Sequence, residues 1–173
     1  HSTLPCNQKP ENMNSSSADW VTPHSHEPNP VVPQGDATII LIARGAARHF
    51  ALDALRALQY TEIPNCFIAS TGHDRTGPFR FGGVTVTDLL AATVPVDAII
   101  SHMDFMSADG YGTRLTAPQI GGTPPPLLAY MVDGAPLQRA QGLVRLVVAS
   151  EIDAALHQVK WLARIEVALF ERT

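Results

Sequence analysis

The chain has 173 residues, of which 45% are hydrophobic and 16% are charged. This composition supplies enough apolar side chains for a core and too little charge for a disordered chain. The net charge of −4 argues against nucleic acid or an anionic membrane as a partner, because both select a basic surface. No apolar run approaches the roughly 18 residues of a membrane span.

Residues 1–36 differ in composition from the rest of the chain. They hold six of the fourteen prolines, are rich in Ser, Asn and His, and show neither a strand nor a helix period. We therefore predict an extended tail over residues 1–36 and one domain over residues 37–173. An ordered tail of this kind needs a surface, so we expect Trp20 and Val21 to anchor it on its own domain or on a protein partner.

Short apolar runs predict most of the secondary structure of the body. Ala51–Leu58 has leucines at helical spacing and is stopped by Pro64, and Thr85 can cap a helix with Asp88 three residues later. Turns are expected at Ser70–Pro78, Asp109-Gly110, Gly121–Pro126 and Asp133-Gly134. Strands are expected at Thr38–Ala43, Asn65–Ala69, Val96–Ser101, Leu127–Val132, Leu143–Ala149 and Val159–Phe170. Strands outnumber helices and do not alternate with them regularly, which indicates an α+β fold.

Two cysteines, Cys6 and Cys66, leave two interpretations open. A disulfide would attach the tail to the body and, through closure of the loop between the two cysteines, would stabilise the fold by roughly 4 kcal/mol. It would also imply an oxidising compartment. Alternatively the thiols are unrelated and Cys66 is buried as a small hydrophobe. The start at His1 fits a mature exported form or a trimmed chain, and together with the disulfide it leads us to expect an extracytoplasmic location.

Six segments in order resemble the small sulfite-oxidase-type molybdopterin-binding domain. Each is weak alone, but their order across the body implies that family's fold, with mixed sheets and short helices. The segments are Phe50–Leu58, Phe81–Leu90, Ser107–Tyr111, Leu127–Leu137, Arg145–Val148 and Val159–Val167.

The resemblance fails at the residues that would hold the cofactor. The family ligates molybdenum through a cysteine thiolate, and Ser70 occupies that position here, where a hydroxyl is a poor replacement. Family members also carry a Gly-x-Lys element that grips the pterin phosphate, and this chain has Ala154–Gln158 instead. The resemblance leaves a vestigial or candidate pocket made of Ser70, Thr71, His73, Arg75, Asp109, Tyr111, Arg145 and His157.

Other readings of these side chains have less support. Ser70, His73 and Asp74 are too close in sequence to imply a catalytic triad, and one His-Asp pair is a weak metal signal. Arg75, Arg80, Arg114 and Arg145 could bind an anion or could each pair with a carboxylate. Asp109 and Tyr111 fit a role in shaping a turn.

The sequence therefore supports three hypotheses about function. The first is a cofactor-free, metal-free binding or assembly subunit outside the cytoplasm, with no confident catalytic residue. The second is an oxidoreductase that holds a molybdopterin cofactor in an atypical way, for example through Ser70. The third is a protein that binds a small anion through Arg75 and Arg145.

Overall fold

A computed structural model of the chain describes residues 32–68, 76–149 and 158–170. Within these ranges the chain folds into two sheets and three short helices. The helices are α1 (Leu52–Arg56), α2 (Val86–Thr93) and α3 (Ala117–Ile120). The strands are β1 (Ile39–Ala43), β2 (Ala46–Phe50), β3 (Thr61–Ile68), β4 (Thr76–Thr85), β5 (Ile100–Ser107), β6 (Gly112–Thr116), β7 (Leu127–Val132), β8 (Ala135–Pro136), β9 (Arg145–Val147) and β10 (Leu162–Leu169).

The first sheet, called sheet A, has the strand order β2-β1-β10-β5-β6. Strands β1 and β10 run parallel, and the other neighbouring pairs are antiparallel. The register places Leu41 beside Ile165 and Ile165 beside Phe105, so that these side chains form one buried row. Alternate residues along each strand therefore point into the core, and those between them form the opposite face.

The second sheet, called sheet B, has the order β3-β4-β7-β8, with β9 also pairing with β7. Strands β4 and β7 approach closely where the register shifts between Gly82 and Gly83. A Cβ atom on Gly83 would collide with the carbonyl oxygen of Leu128, so this approach requires a glycine. The larger hydrophobic cluster, called the main core, joins side chains of both sheets and of all three helices.

Helix α2 begins as the sequence predicts. The Thr85 hydroxyl accepts a hydrogen bond from the Asp88 backbone N–H at 3.1 Å, which satisfies one free donor of the first turn. Val86, Leu89 and Leu90 then pack in the main core. The predicted helix at Ala51–Leu58, the strands at β1 and β7 and the turn at Asp109-Gly110 are also confirmed.

Three predicted boundaries are wrong. In the first two, pairing between strands outweighs a local breaker, and in the third the chain turns at Val96 and Asp97, where a strand was predicted. Pro64 lies inside edge strand β3, where a register shift between Ile63 and Cys66 accommodates its missing N–H. Gly77 and Pro78, predicted as a turn, lie in β4. Val96 is fully exposed, and the strand predicted at Val96–Ser101 begins only at Ile100.

The last two predicted strands are shorter than expected, and four described strands, β2, β4, β6 and β8, were not predicted. Leu143 has a φ of 58° and lies before β9, which begins at Arg145. Strand β2 is exposed except at Phe50 and lacks an apolar alternation, while β6 has only five residues. The fold is nevertheless the predicted α+β arrangement of mixed sheets with short helices.

The tail and the cysteines fall partly outside the described residues. Residues 1–31, which include Trp20, Val21 and Cys6, are not described, whereas the carbonyl oxygens of Pro33 and Gly35 accept hydrogen bonds from Arg139. Cys66 is 1% exposed and has no disulfide partner among the described residues. Because Cys6 lies outside them, the Cys6–Cys66 disulfide stays a prediction. Among the described helices, none has the length and apolar character needed to cross a membrane.

Candidate functional site

Arg145 is a charged residue that the fold buries almost completely. It opens strand β9 opposite Ala129 of β7, and it is only 3% exposed. Its guanidinium lies 5.7 Å from the centre of the Phe81 ring, on which it stacks. An arginine buried to this degree normally meets a carboxylate. No carboxylate of the described residues forms an ion pair with it.

The hydrogen bonds of Arg145 go to neutral acceptors. Its Nη1 donates to the carbonyl oxygen of Gln141 at 3.3 Å, and its Nη2 donates to Oε1 of Gln158 at 3.0 Å. Gln158 in turn donates to the carbonyl oxygen of Phe67 at 3.3 Å. The buried Nε has no hydrogen-bond partner among the described residues. Among the described residues, one N–H of the guanidinium therefore has no acceptor and its charge has no carboxylate partner.

Burial lowers the pKa of the Arg145 guanidinium to about 10. The group still carries its positive charge at pH 7, and the direction of the change shows that the folded protein disfavours that charge. A shift of this size costs on the order of 3 kcal/mol of folding free energy. A bound anion would offset this cost.

A second cation lies close to Arg145. The pKa of Lys160 is lowered by partial burial and by the positive charge of Arg145, whereas the carboxylate of Asp109 opposes this shift. Lys160 is exposed, and its ammonium lies 5.7 Å from the ring of Trp161. The structure thus brings together Arg145, Lys160 and Asp109, from three separate parts of the chain.

Asp109 and Tyr111 have the structural role that the sequence suggests. Asp109 accepts a hydrogen bond from the backbone N–H of Tyr111 at 3.1 Å, and its own N–H donates to the Ser107 hydroxyl at 3.2 Å. Tyr111 packs against the main core, and burial raises the pKa of its phenol. These bonds shape the turn between β5 and β6, and they place the Asp109 carboxylate near Lys160.

Five of the predicted pocket residues lie outside the described chain: Ser70, Thr71, His73, Arg75 and His157. The described residues at their flanks nevertheless contact the Arg145 site. Phe67 lies two positions before the undescribed segment 69–75, and Gln158 directly follows the undescribed segment 150–157. The hydrogen bonds from Arg145 to Gln158 and from Gln158 to Phe67 therefore join the two places where these segments leave the described fold.

Two other arginines considered as anion ligands have carboxylate partners. Arg114 forms a forked ion pair with Asp104, at 2.7 and 3.0 Å. Arg80 lies 3.5 Å from Glu62. Both are accounted for by structure, which leaves Arg145 as the described candidate whose cation has no anionic partner in the described chain.

The described residues offer no thiolate or metal cluster at this site. The Cys66 thiol donates to the carbonyl oxygen of Ile63 at 3.4 Å and belongs to a second hydrophobic cluster on sheet B. Burial raises the pKa of this thiol, which disfavours the thiolate. No group of three His, Cys, Asp or Glu side chains in the described ranges could hold a metal ion.

Sequence reasoning missed three contributors to the site: Phe81, Gln158 and Lys160. Each belongs to or adjoins a segment that carries the family resemblance, so the resemblance marked the right part of the chain. Their roles depend on the pairing of β9 with β7 and on the bridge between Leu146 and Val159, which no local pattern encodes.

Comparisons with known proteins agree with this architecture. The family described as oxidoreductase molybdopterin binding domain matches residues 46–173. Among solved structures, the sulfane dehydrogenase SoxCD from Paracoccus pantotrophus matches with a TM-score of 0.63 and 17% identity, over 82% of this chain and 41% of that chain. This chain thus spans less than half of that protein chain, and the likeness concerns the fold. No curated protein sequence matches. On the family match, which covers the body of the fold from β2 onward, the chain belongs to the oxidoreductase molybdopterin-binding domain family.

Proposed function

We propose that this chain is a binding domain that holds an anionic group at Arg145 and does not hold molybdenum through a thiolate. One observation carries the proposal: Arg145 is 3% exposed, and its Nε has no partner in the described chain. A cation buried without an anion destabilises a fold, so a function that uses the charge explains its presence. Lys160 adds a second positive charge beside it.

The arginine fork suits an oxyanion. A guanidinium offers parallel N–H donors that match carboxylate, sulfate or phosphate oxygens. In Arg145 the two terminal nitrogens donate to amide oxygens, Gln141 O and Gln158 Oε1, and an anion would exchange one of these neutral acceptors for a charged one. The site then binds by charge and geometry, without a covalent step.

The residues present suit the phosphate of the family's molybdopterin cofactor but do not suit its metal. A phosphate on a pterin would meet the buried cation and the exposed lysine, which is a chemically suitable pair. The metal requires a soft thiolate, and the sequence has Ser70 at the family's cysteine position. Cys66 does not readily supply one, because it is buried and burial raises the pKa of its thiol. We therefore propose no redox step for this domain.

A molybdenum-dependent oxidoreductase with an atypical site is the second candidate. The same buried Arg145 favours it, because the phosphate of a molybdopterin is itself an oxyanion. The two candidates differ in metal content and share the anion. For the chain in its cell, we further propose an extracytoplasmic binding or assembly subunit, supported by Cys6 in an otherwise polar tail and by the proline-rich composition of that tail.

Titration calorimetry with sulfate and with phosphate tests the anion site. We expect binding to the unmodified protein and a loss of at least about tenfold in affinity in Arg145→Met, equivalent to about 1.4 kcal/mol. Arg164→Met is the matched control, because Arg164 pairs with Glu166 on sheet A, and it should bind like the unmodified protein. Absence of binding, or equal binding in Arg145→Met, would contradict the proposal.

A further inference from the structure

Strand β2 is a free edge of sheet A. The order β2-β1-β10-β5-β6 leaves one side of β2 without a partner strand among the described residues, and residues 46–49 are exposed. The pairing of β1 with β2 runs from Ile39 and Phe50 to Ala43 and Ala46 without a bulge. A straight, unpaired edge of this kind offers a row of backbone donors and acceptors to another strand.

The backbone groups on the free side of β2 belong to Ala47 and His49. The chain turns at Arg44-Gly45, where both residues have a positive φ, so β1 and β2 form a two-residue hairpin. The residues that flank such a turn bond each other, and bonded pairs alternate with unbonded pairs along the antiparallel ladder. The second and fourth residues of β2, Ala47 and His49, therefore direct their N–H and C=O groups to the free side. In the described chain, no hydrogen bond outside the strand pairing reaches these groups.

Two edge strands of sheet B show how such edges are protected elsewhere in the fold. Pro64 and two register shifts interrupt β3, and Pro136 lies in β8, which has only two residues. Strand β2 has neither a proline nor an acidic residue. Its arginine, Arg48, donates to the carbonyl oxygen of Ala92 at 3.0 Å and lies 5.2 Å from the centre of the Phe50 ring. The Arg48 side chain is thus held back on its own chain and leaves the edge open to another strand.

The surface around this edge is positively charged, although the whole chain has a net charge of −4. Arg44 and Arg48 lie within residues 39–52, which contain no Asp or Glu. Neither arginine forms an ion pair with a carboxylate of the described residues. A second copy of the chain, paired edge to edge, would bring the same positive charges together, whereas an acidic segment would neutralise them. The charge therefore favours a different, acidic partner.

The two faces of β2 favour different side chains on an added strand. Ala47 points away from the main core and pairs with Ile42 of β1, which is half-buried. Because Ala47 carries a single methyl group, an apolar side chain placed opposite it can reach Ile42. Arg48 lies on the other face, where an acidic side chain would meet its charge. The edge thus suits a strand in which acidic and apolar residues alternate.

We propose that β2 binds an extended segment of a partner protein as an additional antiparallel strand, with acidic side chains beside Arg48 and apolar side chains beside Ala47. Backbone hydrogen bonds to Ala47 and His49 hold the segment, and the alternation of its side chains selects it. Antiparallel pairing is the more stable of the two orientations. Arg145 lies on sheet B, so this surface does not depend on what Arg145 binds.

Amide hydrogen exchange of the full-length chain, followed by NMR, tests the proposal with a defined probe. The probe is a short, end-blocked peptide of alternating glutamate and valine, and its control has lysine in place of glutamate. In the free protein, the amides of Ala47 and His49 should exchange fast, because they face solvent, whereas that of Arg48 should exchange slowly. Saturating glutamate peptide should slow exchange at Ala47 and His49 by about tenfold or more, and the lysine peptide should leave it unchanged.

A substitution in β2 tests whether the peptide binds through this edge. Ala47→Pro removes one donor of the free side and keeps the bonds between β1 and β2, because the Ala47 N–H faces away from β1. The glutamate peptide should then no longer slow exchange at His49. Ala47→Ser keeps the N–H and is the matched control, which should behave like the unmodified protein. If Ala47→Pro loses the NMR spectrum of a folded protein, N-methylation of the valines removes the bonds that the peptide donates, with the same expected result.

Other outcomes overturn the proposal. Slow exchange at Ala47 and His49 in the free chain at every concentration would show that another part of the same chain covers the edge. Slow exchange that appears only as protein concentration rises would assign the edge to a second copy. Equal slowing by the two peptides would show that charge does not select the segment. Slowing by neither peptide, or undiminished slowing in Ala47→Pro, would show that β2 does not take the added strand.

Discussion

Arg145 on sheet B and Arg114 on sheet A are both cations held close to buried surface, and they differ in what they meet. Arg114 points its fork at Asp104, keeps nearly half of its side chain exposed, and its pKa is raised by that hydrogen bond. Arg145 is buried, meets amide oxygens, and its pKa is lowered to about 10. The opposite pKa shifts of these two arginines separate a charge with a carboxylate partner from one with no such partner among the described residues.

The contrast gives the proposed anion site a direct test. The pair on sheet A has both of its charges in the fold, so its removal should harm the fold alone. Under the proposal that Arg145 binds an anion, removal of this cation should help the fold and harm binding. Four substitutions or conditions make this difference measurable, from the largest expected effect to the smallest.

Arg114→Met should have the largest effect on stability. It leaves the Asp104 carboxylate buried without its forked partner, which should lower the free energy of unfolding by about 2 kcal/mol after allowance for the half-exposed arginine. Urea denaturation at pH 7 measures it. The double variant Arg114→Met/Asp104→Leu removes both charges and should recover much of the loss. If the single variant is as stable as the unmodified protein, the pair has no structural role.

Arg145→Met should change stability in the opposite direction. The folded-state pKa of Arg145 lies below its unfolded-state value, so burial of the charge costs free energy below about pH 10 and less above it. A methionine keeps the apolar stem over Phe81, and the free energy of unfolding should rise by about 1 kcal/mol in anion-free buffer. Urea denaturation without and with sulfate checks this. Destabilisation in anion-free buffer would mean that the bonds to Gln141 and Gln158 outweigh the cost of the charge.

The pH dependence of sulfate binding should follow the loss of the positive charge of Lys160. Its pKa is lowered, so its positive charge is lost at a lower pH than that of an ordinary lysine, and sulfate affinity should fall as pH rises. Sulfate keeps its own charge over this range. We expect a decrease of about threefold between pH 7.5 and 9.5 by calorimetry, against a flat profile in Lys160→Met. Identical pH profiles in the two proteins would show that Lys160 does not contribute to sulfate binding.

Arg164→Met should have the smallest effect. Arg164 and Glu166 are both about two-fifths exposed, and exposed ion pairs are screened by water and salt. The free energy of unfolding should fall by less than about 0.5 kcal/mol in the same urea experiment. A loss as large as that in Arg114→Met would show that the two ion pairs on sheet A act as one network.

The sequence predicted the fold class and several elements because local chemistry dictates them. Thr85 with Asp88 is a cap before an apolar helix, and Leu127–Val132 is an apolar run closed by Asp133-Gly134. The boundaries failed where long-range pairing decides. Pro64 and Pro78 are strong local breakers, yet both lie in strands at places where the β3–β4 register shifts.

The site was predicted in part. Arg145 followed from the resemblance, and Asp109 and Tyr111 form the turn that their sequence suggests. What the sequence could not show is that Arg145 lacks a carboxylate partner in the described chain while Arg80 and Arg114 have one, because Glu62 and Asp104 reach them through strand pairing. The positions Ser70, Thr71, His73, Arg75 and His157 stay predictions, as does the link between Cys6 and Cys66.

The molybdenum content of protein purified from its native source tests the central claim most directly. Elemental analysis by mass spectrometry, with fluorescence of oxidised pterin measured on the same sample, separates an anion site without metal from an atypical cofactor enzyme. We predict no stoichiometric molybdenum, because the sequence places Ser70 where a thiolate is needed and burial raises the pKa of the Cys66 thiol. About one molybdenum per chain, bound together with pterin, would contradict the account.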